Sequence, residues 1–300
     1  MAAAEPVDWT LVDTDAVQQL NSDLRPDIAT ADIGIYFPSN LDKAFTDRFS
    51  LAGLLDEFRR AKAIFAFADV QLKLLWIKSG NIDPSFLEIR ANDIESTTPG
   101  GQYVNMYEDS LRQRSGLSKE ALLAFESIVE VQKNNARTVY LVVLQGVFMS
   151  FYEKLDERTW ALRTITTGGL SFPGYSYRDM PRRLRGVITV TRSDPNRGVL
   201  AHELGHKLIN VSHEYREIDP QHEVRAEGGL MLYGSGTDIA SGEEGRWHKE
   251  RLHLSPYLYR VTSTGQRIWN QDYLEGGHYY DPLYGDKIVR FEAARATNAE

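Results

Sequence analysis

Two histidines and a glutamate carry the chemistry that this sequence indicates most clearly. His202, Glu203 and His206 lie in the segment His202-Glu203-Leu204-Gly205-His206. On a helix, residues four positions apart lie about 40° apart around the axis with about 6 Å of rise, so both imidazoles can ligate one metal ion. A glutamate directly after the first histidine can reach a water molecule bound to that ion. The pattern therefore predicts a hydrolytic zinc (Zn2+) centre.

The residues before and within this segment predict a helix with one apolar face. Asp194 and Pro195 are suited to the N-cap and the first helical position. Leu200, Leu204 and Leu208 fall about 120–160° around the axis from the two histidines. We therefore expect the leucine face to pack into the core and the histidine face to present metal ligands.

A catalytic zinc site also needs a third protein ligand and an open position for water. His213 is the nearest candidate in the chain. If the helix continued, His213 would lie about 10 Å further along the axis than His206 and could not reach the same ion. The helix must then end between them, and Asn210 tolerates the left-handed conformation that terminates helices.

Two other residues remain open as the third ligand. Glu227 follows His206 at a separation similar to that of the gluzincin peptidases, whose third ligand is a glutamate on a later helix. The glycines at 228 and 229 would weaken such a helix. His222 is close in sequence, but Pro220 favours a loop there.

The segment from His202 to His213 resembles the HExxHxxGxxH signature of the metzincin clan of zinc peptidases. It has one additional residue before the turn, and Asn210 replaces the glycine. Further along, Met231 and Tyr233 lie in a glycine-rich segment that resembles the methionine turn beneath the metal in that clan. The Met-x-Tyr spacing is similar to the astacin and serralysin branches.

The resemblance implies a role for each matched residue. His202, His206 and His213 would bind zinc, and Glu203 would act as the general base. Tyr233 would stabilise the transition state. The implied reaction is hydrolysis of a peptide bond, with a peptide or protein as the substrate.

The resemblance also implies an α+β, zincin-like fold. A twisted mixed sheet and the active-site helix would form an upper lobe over residues 31–209. A smaller, irregular lower lobe would cover 210–300, with a cleft between the two, and residues 1–30 would be a lead-in. The strand at 186–191 would form the sheet edge above the cleft.

Hydrophobic periodicity supplies the remaining elements. Strands are predicted at 33–37, 64–67, 72–78, 138–144 and 186–191. Helices are predicted at 43–60, 118–133 and 243–253, with a long loop at 166–177.

The composition limits the classes of protein to which the chain can belong. The chain has 300 residues, of which 42% are hydrophobic, enough for a substantial core. The net charge of -8 argues against nucleic acid as a partner. With 0 cysteines there is no disulfide and no thiol nucleophile. No signal peptide or membrane span is recognisable, which favours a cytoplasmic protein or a secreted chain in its mature form.

These observations predict a zinc-dependent endopeptidase. The first alternative is a non-catalytic zincin-like binding protein, which the intact Glu203 argues against. The others are a gluzincin-type hydrolase with Glu227 as ligand and a zinc hydrolase that acts on a non-peptide amide or a very short peptide. The oligomeric state is left open.

Overall fold

The structure is a computed structural model that describes residues 7–92, 117–131, 137–156, 158–172, 180–192, 198–210, 229–231, 238–239, 242–270, 278–280 and 288–290. The helices are α1 (Thr14–Leu20), α2 (Lys43–Thr46), α3 (Leu51–Ala66), α4 (Lys119–Ile128), α5 (Val199–Ile209) and α6 (Gly242–His253). The strands are β1 (Thr10–Leu11), β2 (Ala29–Tyr36), β3 (Val70–Ser79), β4 (Glu88–Arg90), β5 (Val139–Val143), β6 (Gly146–Lys154), β7 (Trp160–Thr166), β8 (Gly169–Ser171), β9 (Val187–Val190), β10 (Leu258–Val261), β11 (Arg267–Trp269), β12 (His278–Tyr280) and β13 (Ile288–Arg290).

Among the described residues, eight strands form one mixed sheet. Its order is β1-β3-β2-β5-β9-β8, and β10 pairs with both β2 and β11. The pairs β2–β3, β2–β5 and β5–β9 are parallel, whereas β8 is antiparallel to β9. Smaller sheets join β4, β6 and β7, and β12 with β13. The chain is thus a mixed α/β protein, compatible with the α+β class predicted from the sequence.

Strand β2 is the centre of the sheet, and all eight of its residues are buried. On one side it pairs along its whole length with β3. On the other side, β5 covers its second half from Ile33 to Tyr36, and β10 covers Thr30 and Ala31. A strand from late in the chain therefore completes the hydrogen bonding of the strand that forms the core.

Helix α3 forms the crossover between the parallel strands β2 and β3. The Ser50 hydroxyl accepts a hydrogen bond from the Gly53 N–H, which caps its N-terminus. Leu54, Phe58 and Ala61 recur at helical spacing and are fully buried. This face of α3 packs against β3 and against α5.

Two elements differ from the prediction around this helix. The predicted helix at 43–60 is two helices, because the chain leaves α2 at Asp47 and begins again after the Ser50 cap. The predicted strand at 64–67 is wrong, since Ile64 and Phe65 belong to the last turn of α3. Four apolar residues in a row fit a buried helix end as well as a strand.

The edge strand of the sheet also differs from the one predicted from the sequence. The predicted loop at 166–177 contains β8, and β8 rather than β9 is the outermost strand at this end of the described sheet. The prediction that the strand at 186–191 forms the edge is therefore wrong: β9 lies between β5 and β8. Gly169-Leu170-Ser171 has no apolar run of its own, and its extended conformation comes from pairing with β9.

Other predicted elements are confirmed within a few residues. Helix α4 begins after Ser118, whose hydroxyl accepts from the Ala121 N–H, and α6 matches the predicted charged helix. None of the described helices is long and apolar enough to cross a membrane. The division into upper and lower lobes stays a prediction.

Candidate functional site

Helix α5 carries the three residues of the predicted centre and is anchored by its apolar face. Leu200, Leu204 and Leu208 are all at most 1% exposed, as predicted. The predicted N-cap at Asp194 is wrong, because the helix begins at Val199 and Gly198 occupies the cap position with φ +56°. Glycine adopts this left-handed conformation without the penalty of a Cβ atom.

Within α5, whose residues are all described, His202 is the one residue that is not buried. Its imidazole lies beside that of His206, with ring centroids 4.6 Å apart and planes inclined at 84°. The helix therefore brings both rings together, as their spacing predicts. One of them has access to solvent and to an incoming ligand.

The orientation of His202 is fixed by a backbone carbonyl. Its Nδ1 atom lies 2.7 Å from the carbonyl oxygen of Leu230. A carbonyl can only accept, so Nδ1 carries the proton and the lone pair of the neutral ring is on Nε2. Metal-bound histidines are commonly held by this kind of hydrogen bond, which fixes the tautomer and the ring direction. His202 and His206 thus fit two ligands of a zinc ion.

Met231 packs directly on this helix. A Cβ atom built at Gly205 would stand 2.5 Å from the Met231 Sδ atom and 3.2 Å from Leu230 Cδ2. Leu230 and Met231 are both fully buried. Gly205 lies between His202 and His206 in the sequence. Because it has no side chain, the segment 229–231 can approach the helix closely at this position.

Glu203 is buried under the edge of the sheet. A Cβ at Gly169 would stand 2.7 Å from Glu203 Cγ, so the glutamate side chain lies against β8. Burial raises the pKa of Glu203 to about 8, although a hydrogen bond from the Ser171 backbone N–H and the charge of Lys207 act in the opposite direction. Its Oε2 atom has no hydrogen-bond partner among the described residues.

Lys207 is a residue of this site that the sequence prediction missed. Its side chain is buried, and its Nζ atom donates to the carbonyl oxygens of Phe172 and Arg185, each at 2.6 Å. Burial lowers the pKa of Lys207 to about 7, and the neighbouring Glu203 raises it in part. The signal in the sequence was a lysine one helical turn after the predicted base, on the same face.

The end of α5 matches the prediction. Asn210 has φ +57° and ψ +51°, the left-handed conformation expected there. Arg251 of α6 is also buried and donates through Nε to the Ile209 carbonyl at 2.8 Å and through Nη2 to the Asn210 carbonyl at 2.7 Å. A cation at this end of a helix satisfies carbonyls that have no partner within the helix.

The remaining predicted site residues lie outside the described residues. These are His213, Tyr233 and the alternative ligands His222 and Glu227. Among the residues that are described, no group of three or more His, Cys, Asp and Glu side chains forms a metal site. The third ligand and the role of Tyr233 therefore stay predictions.

No protein-family model matches the chain, and no curated protein sequence matches it. The resemblance to metzincins accordingly depends on the residues of the motif and the methionine segment. The contacts of His202, Glu203 and Gly205 add structural observations that are independent of that resemblance.

Proposed function

We propose that the chain is a zinc-dependent endopeptidase in which His202 and His206 bind the metal and Glu203 is the general base. The observation that carries the proposal is the hydrogen bond between His202 Nδ1 and the Leu230 carbonyl. It directs the lone pair of Nε2 away from the methionine segment, beside the ring of His206. Metal-bound histidines commonly donate such a hydrogen bond, and here a second histidine lies one turn along the same helix.

The arrangement of the strands supports a metzincin-like upper lobe. The parallel strands β3, β2, β5 and β9 end at an antiparallel edge strand, β8, which packs on the helix that carries the histidines. In this proposal the active-site cleft runs along β8. The lower lobe would begin where Asn210 turns the chain, and it would supply His213 and Tyr233.

Within the described sheet, β8 has backbone groups that do not pair with β9. Thr191 N donates to the Gly168 carbonyl, so the alternation of an antiparallel ladder makes Leu170 and Thr189 the next hydrogen-bonded pair. The N–H and C=O groups of Gly169 and Ser171 then face away from β9. In this proposal a substrate adds as a further strand at the Gly169 N–H and C=O and the Ser171 C=O, with backbone hydrogen bonds providing affinity, while the Ser171 N–H bonds Glu203.

Glu203 lies next to the position of this added strand. The Ser171 N–H, which points away from β9, is the group that hydrogen-bonds the carboxyl group of Glu203. Glu203 would accept a proton from the attacking water and pass it to the leaving amine. Zinc, held by His202, His206 and in this proposal His213, would polarise the scissile carbonyl and lower the pKa of its water to about 7. Tyr233 would donate a hydrogen bond to the developing oxyanion.

The test is cleavage of a mixed peptide library by the zinc-loaded wild type beside Glu203→Gln, with products identified by mass spectrometry. Metal content is measured on both proteins. Cuts made only by the wild type, with one zinc per chain in each, are the expected result. One zinc in each protein and no cuts from either would instead favour a non-catalytic zincin-like binding protein.

A further inference from the structure

We infer that Lys207 is a positioning residue that holds the edge strand β8 at the correct distance from the general base. The inference rests on the proposed function, because it concerns the strand to which the substrate would add. It assigns to a buried lysine a role in substrate placement that the zinc ligands and Glu203 do not cover.

The contacts of Lys207 link helix α5 to both ends of the connection between β8 and β9. Phe172 is the first residue after β8, and Arg185 comes two residues before β9. The Lys207 ammonium donates to the carbonyl oxygens of both. Lys207 therefore holds two points of the chain against α5: the residue at which it leaves β8 and the residue near which it enters β9.

Burial makes the loss of these hydrogen bonds costly. Lys207 is 3% exposed, and transferring an ammonium group out of water is unfavourable unless its donors are satisfied. A methionine would fill nearly the same volume without that cost. What the lysine adds is two hydrogen bonds to backbone atoms of other elements.

The same short strand also contacts the general base. Glu203 and Lys207 lie one turn apart on α5, and Glu203 lies against Gly169. Helix α5 thus contacts β8 at two places. Glu203 contacts the start of the strand, and Lys207 bonds the residue directly after its end. If Lys207 released Phe172, β8 could move relative to Glu203, and so would any peptide paired with it. A misplacement of about 1 Å can reduce a rate by about 100-fold.

This role predicts a dependence on substrate length. An extended peptide pairs with β8, whereas a blocked dipeptide around the same scissile bond is too short to do so. Lys207→Met should lower kcat/KM for the extended peptide about 10- to 100-fold, mainly through KM. Because the charge of Lys207 also acts on Glu203, each protein is compared at its own pH optimum. The blocked dipeptide should then change by less than about threefold, since the metal and the base remain.

Lys62 provides a matched control on a helix away from this edge. It is also largely buried, and its ammonium donates to the Leu20 carbonyl and to Asp23. Lys62→Met removes a comparable set of hydrogen bonds without touching β8. The ratio of activities on the extended and short substrates should stay at the wild-type value in this variant, even if its stability falls.

Two further measurements address folding and activity separately. Lys207→Gln keeps an N–H donor but is too short to reach both carbonyls, so it should give a smaller change in the same direction. Hydrogen exchange on the full-length protein should show faster exchange at Gly169–Ser171 in Lys207→Met, with α3 unchanged. This second measurement needs no peptidase activity.

The outcomes are distinct. Equal losses on both substrates would indicate a merely structural lysine and overturn the inference, as would unchanged exchange at β8. Absence of cleavage by the wild type on either substrate would overturn the proposed function instead. In that case the exchange data alone decide whether Lys207 holds the strand.

Discussion

The Nδ1 atom of His202 and the carbonyl oxygen of Leu230 lie 2.7 Å apart, although the two residues are 28 positions apart in the chain. This bond connects the histidine helix to the segment that also contains Met231. The same segment packs on Gly205, so its position and the direction of the His202 ring are coupled. Changes at the contact between Gly205 and Met231 should therefore reach the proposed metal site.

The first prediction concerns the third ligand. His213→Ala should reduce zinc content from one per chain to well below stoichiometric, with the fold retained, because two histidines alone bind the ion weakly. Metal analysis after dialysis and circular dichroism measure the two quantities. Full zinc occupancy in this variant would exclude His213 and make Glu227→Gln the next variant to examine.

The second prediction concerns Gly205. In an isolated helix, alanine would be more stable than glycine by about 1 kcal/mol. Here the added Cβ meets Met231 Sδ, so Gly205→Ala should instead destabilise the protein by about 1–3 kcal/mol and weaken zinc binding about 10-fold. Denaturant unfolding and zinc titration measure both effects. Adding Met231→Ala should relieve the contact, and additive losses in the double variant would contradict this explanation.

The third prediction concerns Arg251. Arg251→Met leaves the carbonyls of Ile209 and Asn210 without these donors at the end of α5, so the free energy of unfolding should fall by about 2–4 kcal/mol. Arg251→Lys should recover only part of this, because an ammonium group lacks the planar fork that reaches both oxygens. Equal stability of the methionine and wild-type proteins in urea would show that the bonds contribute little.

The fourth prediction is a pH dependence of the zinc-free protein. Because the pKa of Glu203 is raised from 4.5 to about 8, its contribution to stability is fully present below 4.5 and is lost as the pH rises through 8. Glu203→Gln stays neutral throughout. It should match the wild type near pH 4.5 and exceed its unfolding free energy by about 2–4 kcal/mol above pH 8.

Lys207 faces Glu203 and loses a favourable charge interaction in that variant, which limits the gain. Lys207→Met is the appropriate background for a second comparison. Parallel stability curves for wild type and Glu203→Gln between pH 5 and 9 would contradict the raised pKa.

The fifth prediction concerns the turn after α5. Asn210 adopts φ +57°, where glycine has no Cβ penalty, so Asn210→Gly should leave stability unchanged or raise it by up to about 1 kcal/mol. A β-branched residue should be unfavourable there, and Asn210→Val is expected to lose about 1–2 kcal/mol. Thermal unfolding of the two variants beside the wild type measures the difference. A glycine variant less stable than the valine variant would be inconsistent with a purely conformational role.

Local signals in the sequence were sufficient for the helix that carries the site. The spacing of Leu200, Leu204 and Leu208 placed its buried face, and Asn210 marked its end. Both depend on residues within a few positions of one another. The start of the helix was misplaced because Asp194 and Pro195 have the right chemistry for a cap, whereas Gly198 occupies that position by its backbone conformation.

Features that depend on distant partners could not be read in this way. Strand β8 has three residues, and its extended conformation is defined by β9, which follows 15 residues later. The partners of Lys207 are backbone carbonyls, which every residue has, so residue types do not identify them. Ile64 and Phe65 fit either a strand or a helix until their burial on α3 is known.

The pairing of β10 with β2 has a consequence for the order in which the protein is assembled. Tyr259 donates a hydrogen bond to Asp32, which lies 227 positions earlier in the chain. During synthesis the histidine helix leaves the ribosome before β10 does, and before the Arg251 that caps it. The central strand β2 therefore lacks part of its pairing until β10 has been made. Contacts of such long sequence separation form slowly, so the pairing of β2 and the end of α5 are completed late, and a chain truncated before α6 would lack both sets of contacts.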